Sequence, residues 1–430
     1  MMRNALPRIG MLHFSCPPII GGVESVLATH ARMVLDAGHS VTAIVGRGGA
    51  FDRRLGLRLI PLIDSRFDLL ESINGELRQG IVSADFQTLT DRIDLDLTDS
   101  LRDIDICIVH NALTLHFNLP LTVALHRIAQ RGEVQLIAWC HDLSWTNPLY
   151  LPLMHDAEPW TLLKRPAHNT RYVTVSEFRA GELSALFEGK APVQAIPNGI
   201  DAGRFLSLSQ ATIRLLRELG AWQSFPFLLL PARITRRKNI ELAIRIVAEL
   251  KAAGARPLLL VTGPPGPHNP RSIDYVDELD ALAESLAITD NLVLLHRLWR
   301  TASRRWSASD TMMRELYRVA DALMFPSAQE GFGIPVLEAG LARLPAFCAD
   351  IQPFRDIAGP NLQYFNLDES PALIAQRILE VLGRNAEAQL HRSVLMDYDW
   401  SMIFEHQLLP LVRRSSVDSL PGASEDLLHV

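Results

Sequence analysis

Two glutamates in a Glu-x7-Glu spacing, Glu330 and Glu338, bracket the turn Gly331-Phe332-Gly333. A carboxylate accepts two hydrogen bonds at once, which suits the vicinal diol of a ribose or a hexose. The glycines lack a Cβ, so the backbone can turn with positive φ and approach a ligand closely, and Phe332 between them is expected to plug back into its domain. Before the turn, Ala322 to Phe325 is an apolar run suited to a buried strand. After it, Pro335 suits the first turn of a helix, where a missing N–H costs nothing. In an open α/β sheet, a strand, a glycine loop and a helix start in that order place a ligand outside the carboxyl end of the strand, against free N–H groups and partial positive charge. A phosphate is the natural guest there. Taken alone, the same residues equally describe a plain turn with two solvated glutamates.

A second constellation is cationic. The strand expected over Pro226 to Pro231 leads into Arg233-Ile234-Thr235-Arg236-Arg237-Lys238-Asn239. Fixed Arg and Lys at such a point hold an anion, and stabilise negative charge that builds on a departing group more than they stabilise the ground state. A basic helix start on the surface is the plain alternative, and Arg236 and Arg237 are expected to lie there.

The elements that must position these groups follow from the apolar runs. Arg8 to Phe14 reads as a buried parallel strand, Val23 to Ala37 as a helix closed by Gly38, and Ser40 to Val45 as the next strand. Gly21-Gly22 stands at the helix entrance of this βαβ unit, an anion-sized gap, but GxGxxG is absent and no dinucleotide fingerprint is met. The strands Ile104 to Val109 and Val134 to Cys140 end at His110-Asn111 and His141-Asp142, so both turn polar residues toward one crevice. A neutral ring satisfied by backbone is the plain alternative for either histidine. The acidic stretch Asp91 to Asp105 is most simply a solvated face.

Length and composition narrow the field. A chain of 430 residues has room for two domains, and 21% charged with 48% hydrophobic residues describes a water-soluble protein. A formal net charge of −6 without a dense basic run argues against a nucleic-acid partner. Cys16, Cys107, Cys140 and Cys348 show neither paired nor CxxC spacing, so no disulfide framework or zinc site is expected, and a reducing cytoplasm fits. No run is long and apolar enough to span a membrane, which leaves room for peripheral contact with one.

Glu-x7-Glu with Gly-Phe-Gly after the first Glu resembles the signature of retaining glycosyltransferases of the sucrose-synthase-like family four, which have the GT-B fold. Other stretches resemble that family in order along the chain. Gly21-Gly22-Val23-Glu24 is similar to its N-terminal glycine loop, and His141 to its histidine near the donor sugar. Pro197-Asn198-Gly199-Ile200-Asp201 is similar to its domain junction. Arg233 to Asn239 resembles Gly-Arg-x-x-x-x-Lys-Gly, with Ala232 and Asn239 in place of glycines. Gly263-Pro264-Pro265-Gly266-Pro267 is similar in part to Gly-x-Gly-Pro. His296-Arg297-Leu298 falls where the family holds the nucleobase, Arg343 where it tends to have glycine, and Tyr398-Asp399-Trp400-Ser401 at its final helix.

The resemblance implies an α/β protein of two Rossmann-like domains facing across a cleft. Residues 1–200 would bind acceptor and residues 201–397 the nucleotide sugar. Residues 398–414 would form a helix returning to the first domain, and residues 415–430 a disordered tail. It implies metal-independent transfer of a hexosyl group, with retention, from a nucleotide diphosphate sugar to a hydroxyl acceptor: a small polar molecule, a polysaccharide or a lipid-linked sugar. No cofactor besides that donor substrate is implied. His141, Arg233, Lys238 and Glu330 would be catalytic. Gly21, Gly22, Gly263, Arg297, Gly331, Phe332, Gly333 and Glu338 would bind donor, with Glu330 on the sugar hydroxyls and Glu338 on the ribose. Trp299 to Met313 is read as a surface excursion or a lid. A same-fold epimerase or phosphorylase, or a catalytically silent subunit that binds sugar nucleotide, is the alternative.

Overall fold

Seven consecutive residues from Ile9 to Ser15 are buried, which is what a strand covered on both faces requires, and they form β1 (Ile9–Ser15). The computed structural model describes residues 6–266, 272–301 and 309–413. The chain divides into two compact units, Met1–Gly199 with Trp400–Val430, and Ile200–Asp399.

In the first unit, α1 (Gly22–Asp36) carries the chain from β1 to β2 (Val41–Arg47), and β3 (Gly56–Leu59) forms the edge. After α2 (Asp68–Leu77) and α3 (Ala84–Leu101) come β4 (Ile106–His110), α4 (Leu119–Arg131), β5 (Gln135–Cys140), β6 (Thr170–Thr174), α5 (Glu177–Leu186) and β7 (Val193–Ala195). The seven strands are parallel in the order β3-β2-β1-β4-β5-β6-β7. The acidic stretch falls largely on α3, and part of it has partners. Asp91 and Asp94 take Arg127 and Arg131 of α4, each at 2.7 Å, so the charge that reads as merely solvated also links two helices.

In the second unit, α6 (Ala202–Phe205) and α7 (Gln210–Glu218) lead to β8 (Phe227–Leu230), α8 (Ile240–Ala252), β9 (Leu258–Val261), α9 (Ser272–Ser285), β10 (Leu292–Leu294), α10 (Leu295–Thr301) and α11 (Asp310–Val319). There follow β11 (Ala322–Phe325), α12 (Ile334–Ala342), β12 (Ala346–Ala349), α13 (Gln352–Ala358), β13 (Gln363–Phe365), α14 (Pro371–Arg384) and α15 (Ala386–Asp397). Six parallel strands run β10-β9-β8-β11-β12-β13. Each unit is therefore a doubly wound α/β sheet, the class expected.

The chain then rejoins the first unit through α16 (Trp400–Ile403), a π-helical turn and α17 (Leu409–Arg413). Ile403, Phe404, Leu408, Leu411 and Val412 enter the same core cluster as Leu27, Ala31 and Val34 of α1. Each buried side chain of this size stabilises by about 1.5–3 kcal/mol, and Arg171 Nη1 donates to the Leu411 carbonyl at 3.0 Å. The expected tail, residues 415–430, lies outside the described residues.

Both sheets share one topological property. The first strand of each unit lies between two neighbours, β1 between β2 and β4, and β8 between β9 and β11. Loops leaving such a pair run in opposite directions over the sheet and open a crevice at the carboxyl ends of the strands.

Candidate functional site

In the second unit the strands flanking the crevice are β8 and β11, with Ala322 opposite Leu228 and Leu323 opposite Leu229. The segments leaving them therefore emerge side by side. Ala328 N–H donates to the Arg237 carbonyl at 2.8 Å, tying the two segments together. Across this seam one oxygen of Glu330 takes Lys238 Nζ and the other takes Arg237 Nη1 at 3.0 Å. Arg237 also donates to the Gln329 carbonyl at 3.0 Å. Lys238 Nζ lies 4.9 Å from the centre of the Phe325 ring.

The Lys238 and Glu330 side chains are each only 9% exposed, so both charges are largely desolvated. Burial pushes the Glu330 carboxyl up, but Lys238, Ser327 and Arg237 together outweigh it and hold the group below its ordinary value. For Lys238 the balance runs the other way: burial lowers the ammonium, and Glu330 offsets that only in part. The asymmetry follows from the partners, since Glu330 has two cations and Lys238 one carboxylate. Arg237, expected on the surface alone, belongs to this cluster. Its guanidinium is half exposed, and basic composition by itself carries no sign of the Glu330 contact.

Backbone geometry explains the two departures from glycine. Asn239 takes φ 50°, ψ 48° between the turn Arg236–Lys238 and α8, and Asn is the residue that best tolerates this left-handed conformation after glycine. At Ala232 the close approach is met from the other side. A Cβ on Gly263 would lie 2.4 Å from the Ala232 carbonyl oxygen, so the absent side chain is Gly263's. In the turn before α12, Gly333 has φ 114° and a Cβ there would lie 2.8 Å from the Phe354 ring. Gly331 takes no positive φ. Phe332 does not plug into the domain: it is 56% exposed. The interior beneath the turn is already filled by Phe325 and Phe354, whose ring centres lie 5.3 Å apart.

A cavity of about 960 Å³ in this unit is lined by Arg233, Gly263, Tyr317 and Glu338, with Arg314 and Arg318 contributing further positive charge. Tyr317 donates its phenol hydrogen to Glu338 Oε2 at 2.6 Å. Burial, reinforced by Glu338, pushes the Tyr317 phenol up, so it remains a donor. The sequence reading missed Tyr317, Arg314 and Arg318. Their only signal is helical spacing on α11, in a stretch read as a loop up to Met313.

The structure thus gathers Arg233, Gly263 and Glu338 around one cavity and Lys238 with Glu330 in one ion pair. Arg297 is placed differently. Residues 296–298, expected at the nucleobase, lie in α10, and Arg297 pairs with Asp280 of α9 and does not line the cavity. Of the expected excursion over residues 299–313, Trp299 to Thr301 end α10 and Asp310 to Met313 begin α11. Arg304, Arg305 and Trp306 lie outside the described residues, as does Pro267.

In the first unit Gly21 and Gly22 stand at the entrance of α1, His110 ends β4 and His141 follows β5. Gly21 is the N-cap of α1, and a Cβ there would lie 2.0 Å from Glu24 Oε2; nothing crowds Gly22. Glu24 Oε1 accepts from the Ser15 hydroxyl at 2.6 Å. His110 Nδ1 and His141 Nε2 are 3.2 Å apart with stacked rings. His13 Nδ1 donates to the His110 carbonyl at 3.1 Å, and His30 packs 5.7 Å from the His110 ring. Asn111, in the left-handed conformation at φ 61°, turns Oδ1 onto the His141 N–H at 2.7 Å and so fixes the start of that loop. Burial lowers all four histidines, His30 to about 3 and His141 to about 4, so the cluster is neutral. Among the described residues no group of three His, Cys, Asp or Glu is placed to hold a metal ion. No described helix is long and apolar enough to cross a membrane.

Two family descriptions match the chain in succession. "Glycosyltransferase Family 4" matches residues 20–204 and "Glycosyl transferases group 1" matches residues 215–392. The chain belongs to the group 1, family four glycosyltransferases. Its two parallel sheets, of seven and six strands, are the α/β architecture expected from the resemblance to that family. Among similar proteins, mannosylglucosylglycerate synthase of Petrotoga mobilis is 26% identical over 62% of this chain and 64% of its own length. D-inositol 3-phosphate glycosyltransferase of Actinosynnema mirum is 28% identical over 52% of each. The matches thus reach less than two thirds of either relative. A solved glycosyltransferase from Rickettsia africae aligns over 96% of this chain and 99% of its own at 14% identity, with a TM-score of 0.37.

Proposed function

We propose that the protein transfers a hexosyl group from a nucleotide diphosphate sugar to a hydroxyl acceptor, with retention of anomeric configuration and without a metal. The observation that carries this reading is the crevice of the second unit. There Arg233 and a tyrosine-held Glu338 line a cavity, and Lys238 is desolvated against Glu330. Family membership and the relatives named for mannosyl and inositol phosphate glycosyl transfer support it.

In this reading Glu338 accepts the ribose hydroxyls, since Tyr317 occupies one lone pair of Oε2 and leaves the others open. Arg233 and Lys238 hold the diphosphate, and the cavity's other arginines add positive potential where charge develops. Glu330 shares its carboxylate between Lys238 and the hydroxyls of the transferring sugar. His141, with Nε2 engaged by His110, offers a neutral ring for a hydrogen bond to substrate. The acceptor hydroxyl attacks the anomeric carbon on the face that the diphosphate leaves. The departing phosphate oxygen takes the acceptor's proton, so the charges balance without a separate base.

The test is a panel of sugar nucleotides screened for thermal stabilisation of the full chain, followed by nucleotide release with and without candidate acceptors. Stabilisation by one nucleotide sugar and release that depends on an acceptor are expected. A donor that binds and is never turned over with any acceptor would refute transfer. Product of inverted anomeric configuration would refute retention.

A further inference from the structure

The first unit holds a second cavity, of about 520 Å³, formed by α2, the turn after β4 and the long loop after β5. Its size is that of a pocket for a small ligand. Two arginines on its wall, Arg66 and Arg78, bring positive charge, and no Asp or Glu is among the residues that line it. Among the described residues neither arginine makes an ion pair.

Opposite kinds of surface meet there. His116, Phe117 and Tyr150 form an aromatic wall, with His116 and Tyr150 ring centres 4.9 Å apart and Phe117 and Tyr150 5.6 Å apart, both edge to face. Ser144, fully buried, fixes the imidazole: its Oγ accepts from the His116 N–H at 3.0 Å and lies 2.8 Å from Nδ1. A hydroxyl that accepts from the backbone is free to donate to Nδ1, which leaves the imidazole proton on Nε2. Burial and the charge of Arg78 hold the ring neutral, lowering it to about 4. Ser144 lies three residues beyond His141, so the cavity and the histidine cluster share one loop.

We propose that this cavity is the binding site for an acceptor that carries an anionic group, a phosphate monoester or a carboxylate, on a sugar-like ring. The anion pairs with Arg66 and Arg78, and the ring lies against Tyr150 and Phe117. A guanidinium pair matches either anion through charge-assisted hydrogen bonds, and an aromatic wall suits the C–H face of a ring. The proposal deepens the reading of the chain as a glycosyltransferase and rests on it for the word acceptor. The binding itself does not depend on that reading.

The test is calorimetric titration of the full chain at low salt with glucose 6-phosphate, glucuronate, inorganic phosphate and glucose, with UDP titrated in parallel. At least one anionic sugar is expected to bind about tenfold or more tighter than both glucose and inorganic phosphate, and the two arms decide between phosphate and carboxylate. Arg66→Ala and Arg78→Ala should each weaken that sugar about tenfold. Leu149→Asp, at an exposed rim position, should weaken it similarly without removing an arginine. UDP affinity should be unchanged in all three. Equal binding of glucose, equal binding of inorganic phosphate, unchanged affinity in the arginine variants, or no binding of either anionic sugar each overturns the proposal. Failure of every sugar nucleotide of the panel to bind overturns the donor reading and leaves this site standing.

Discussion

Lys238 and Glu330 stand 92 residues apart in sequence and meet as a desolvated ion pair, because the strands that precede them, β8 and β11, are hydrogen-bonded neighbours at the point where the strand order reverses. Such a pair is costly to break from one side, since the survivor is left buried and uncompensated.

The two members are therefore expected to fail differently. Lys238→Met removes the charge, leaves Glu330 with Arg237, and should lower kcat by about 10²–10³, the range for losing one preorganised group at a developing charge. Its stability should change by no more than about 1 kcal/mol. Glu330→Ala strands the Lys238 ammonium and should cost roughly 3 kcal/mol of stability besides activity. Urea denaturation beside steady-state kinetics separates the two effects, and a Lys238→Met enzyme with full activity would remove the lysine from the mechanism.

Tyr317 fixes Glu338 through one hydrogen bond, so Tyr317→Phe should leave the fold intact and free the carboxylate to wander. The expectation is a rise in KM for the nucleotide sugar of about five- to tenfold with a smaller change in kcat, because the ribose is distant from the bond that breaks. A donor KM equal to the parent's would show that Glu338 needs no support.

Two left-handed residues give a prediction free of the reaction. Asn239 has φ 50° and Arg343 closes α12 at φ 57°. Asn239→Ala should destabilise by about 1 kcal/mol and Asn239→Gly should be close to neutral, since Asn already tolerates the conformation. Arg343→Gly should stabilise by about 0.5 kcal/mol, the relief of strain slightly exceeding the entropy gained by the unfolded chain. Thermal unfolding of the three variants checks both signs.

Such positions also show how far the sequence could be read. The strand-loop-helix character of the segment from Ala322 to Ala342 was legible because four apolar residues, a glycine turn and a proline change the periodicity in a fixed order. Arg233, Lys238, Glu330 and Glu338 stood out because their spacings resemble the family's Gly-Arg-x-x-x-x-Lys-Gly and Glu-x7-Glu stretches. What was not legible depends on partners distant in the chain. Arg237 is one of three successive basic residues, and only the approach of residues 328–330 gives it a carboxylate. Phe332 was misplaced because nothing local shows that Phe354, from the next helix, already occupies the space beneath the turn. The arginine and aromatic cavity of the first unit draws on segments spread from residue 65 to residue 160, with no spacing to connect them.

The neutral histidine cluster should make the first unit sensitive to acid. For His30 and His141 the folded values, about 3 and about 4, lie below the ordinary histidine value near 6.5. The unfolded chain therefore binds protons first as pH falls. The stability due to the neutral rings is fully present above pH 6.5 and is lost below it, down to about 4 for His141 and about 3 for His30, at about 1.4 kcal/mol per unit for each histidine. His30 gives the cleaner test, because both its ring nitrogens are buried without a hydrogen-bond partner among the described residues. His30→Leu removes a group that must stay uncharged in place and leaves no polar neighbour orphaned. It should flatten the acid slope and leave stability at pH 8 equal or raised. Trp139 and Trp400, whose rings lie 4.6 and 5.3 Å from His30, report the transition by fluorescence. The parent's urea midpoint should fall from pH 7 to pH 5 and the variant's should fall less; parallel curves would show that the cluster does not govern the acid response.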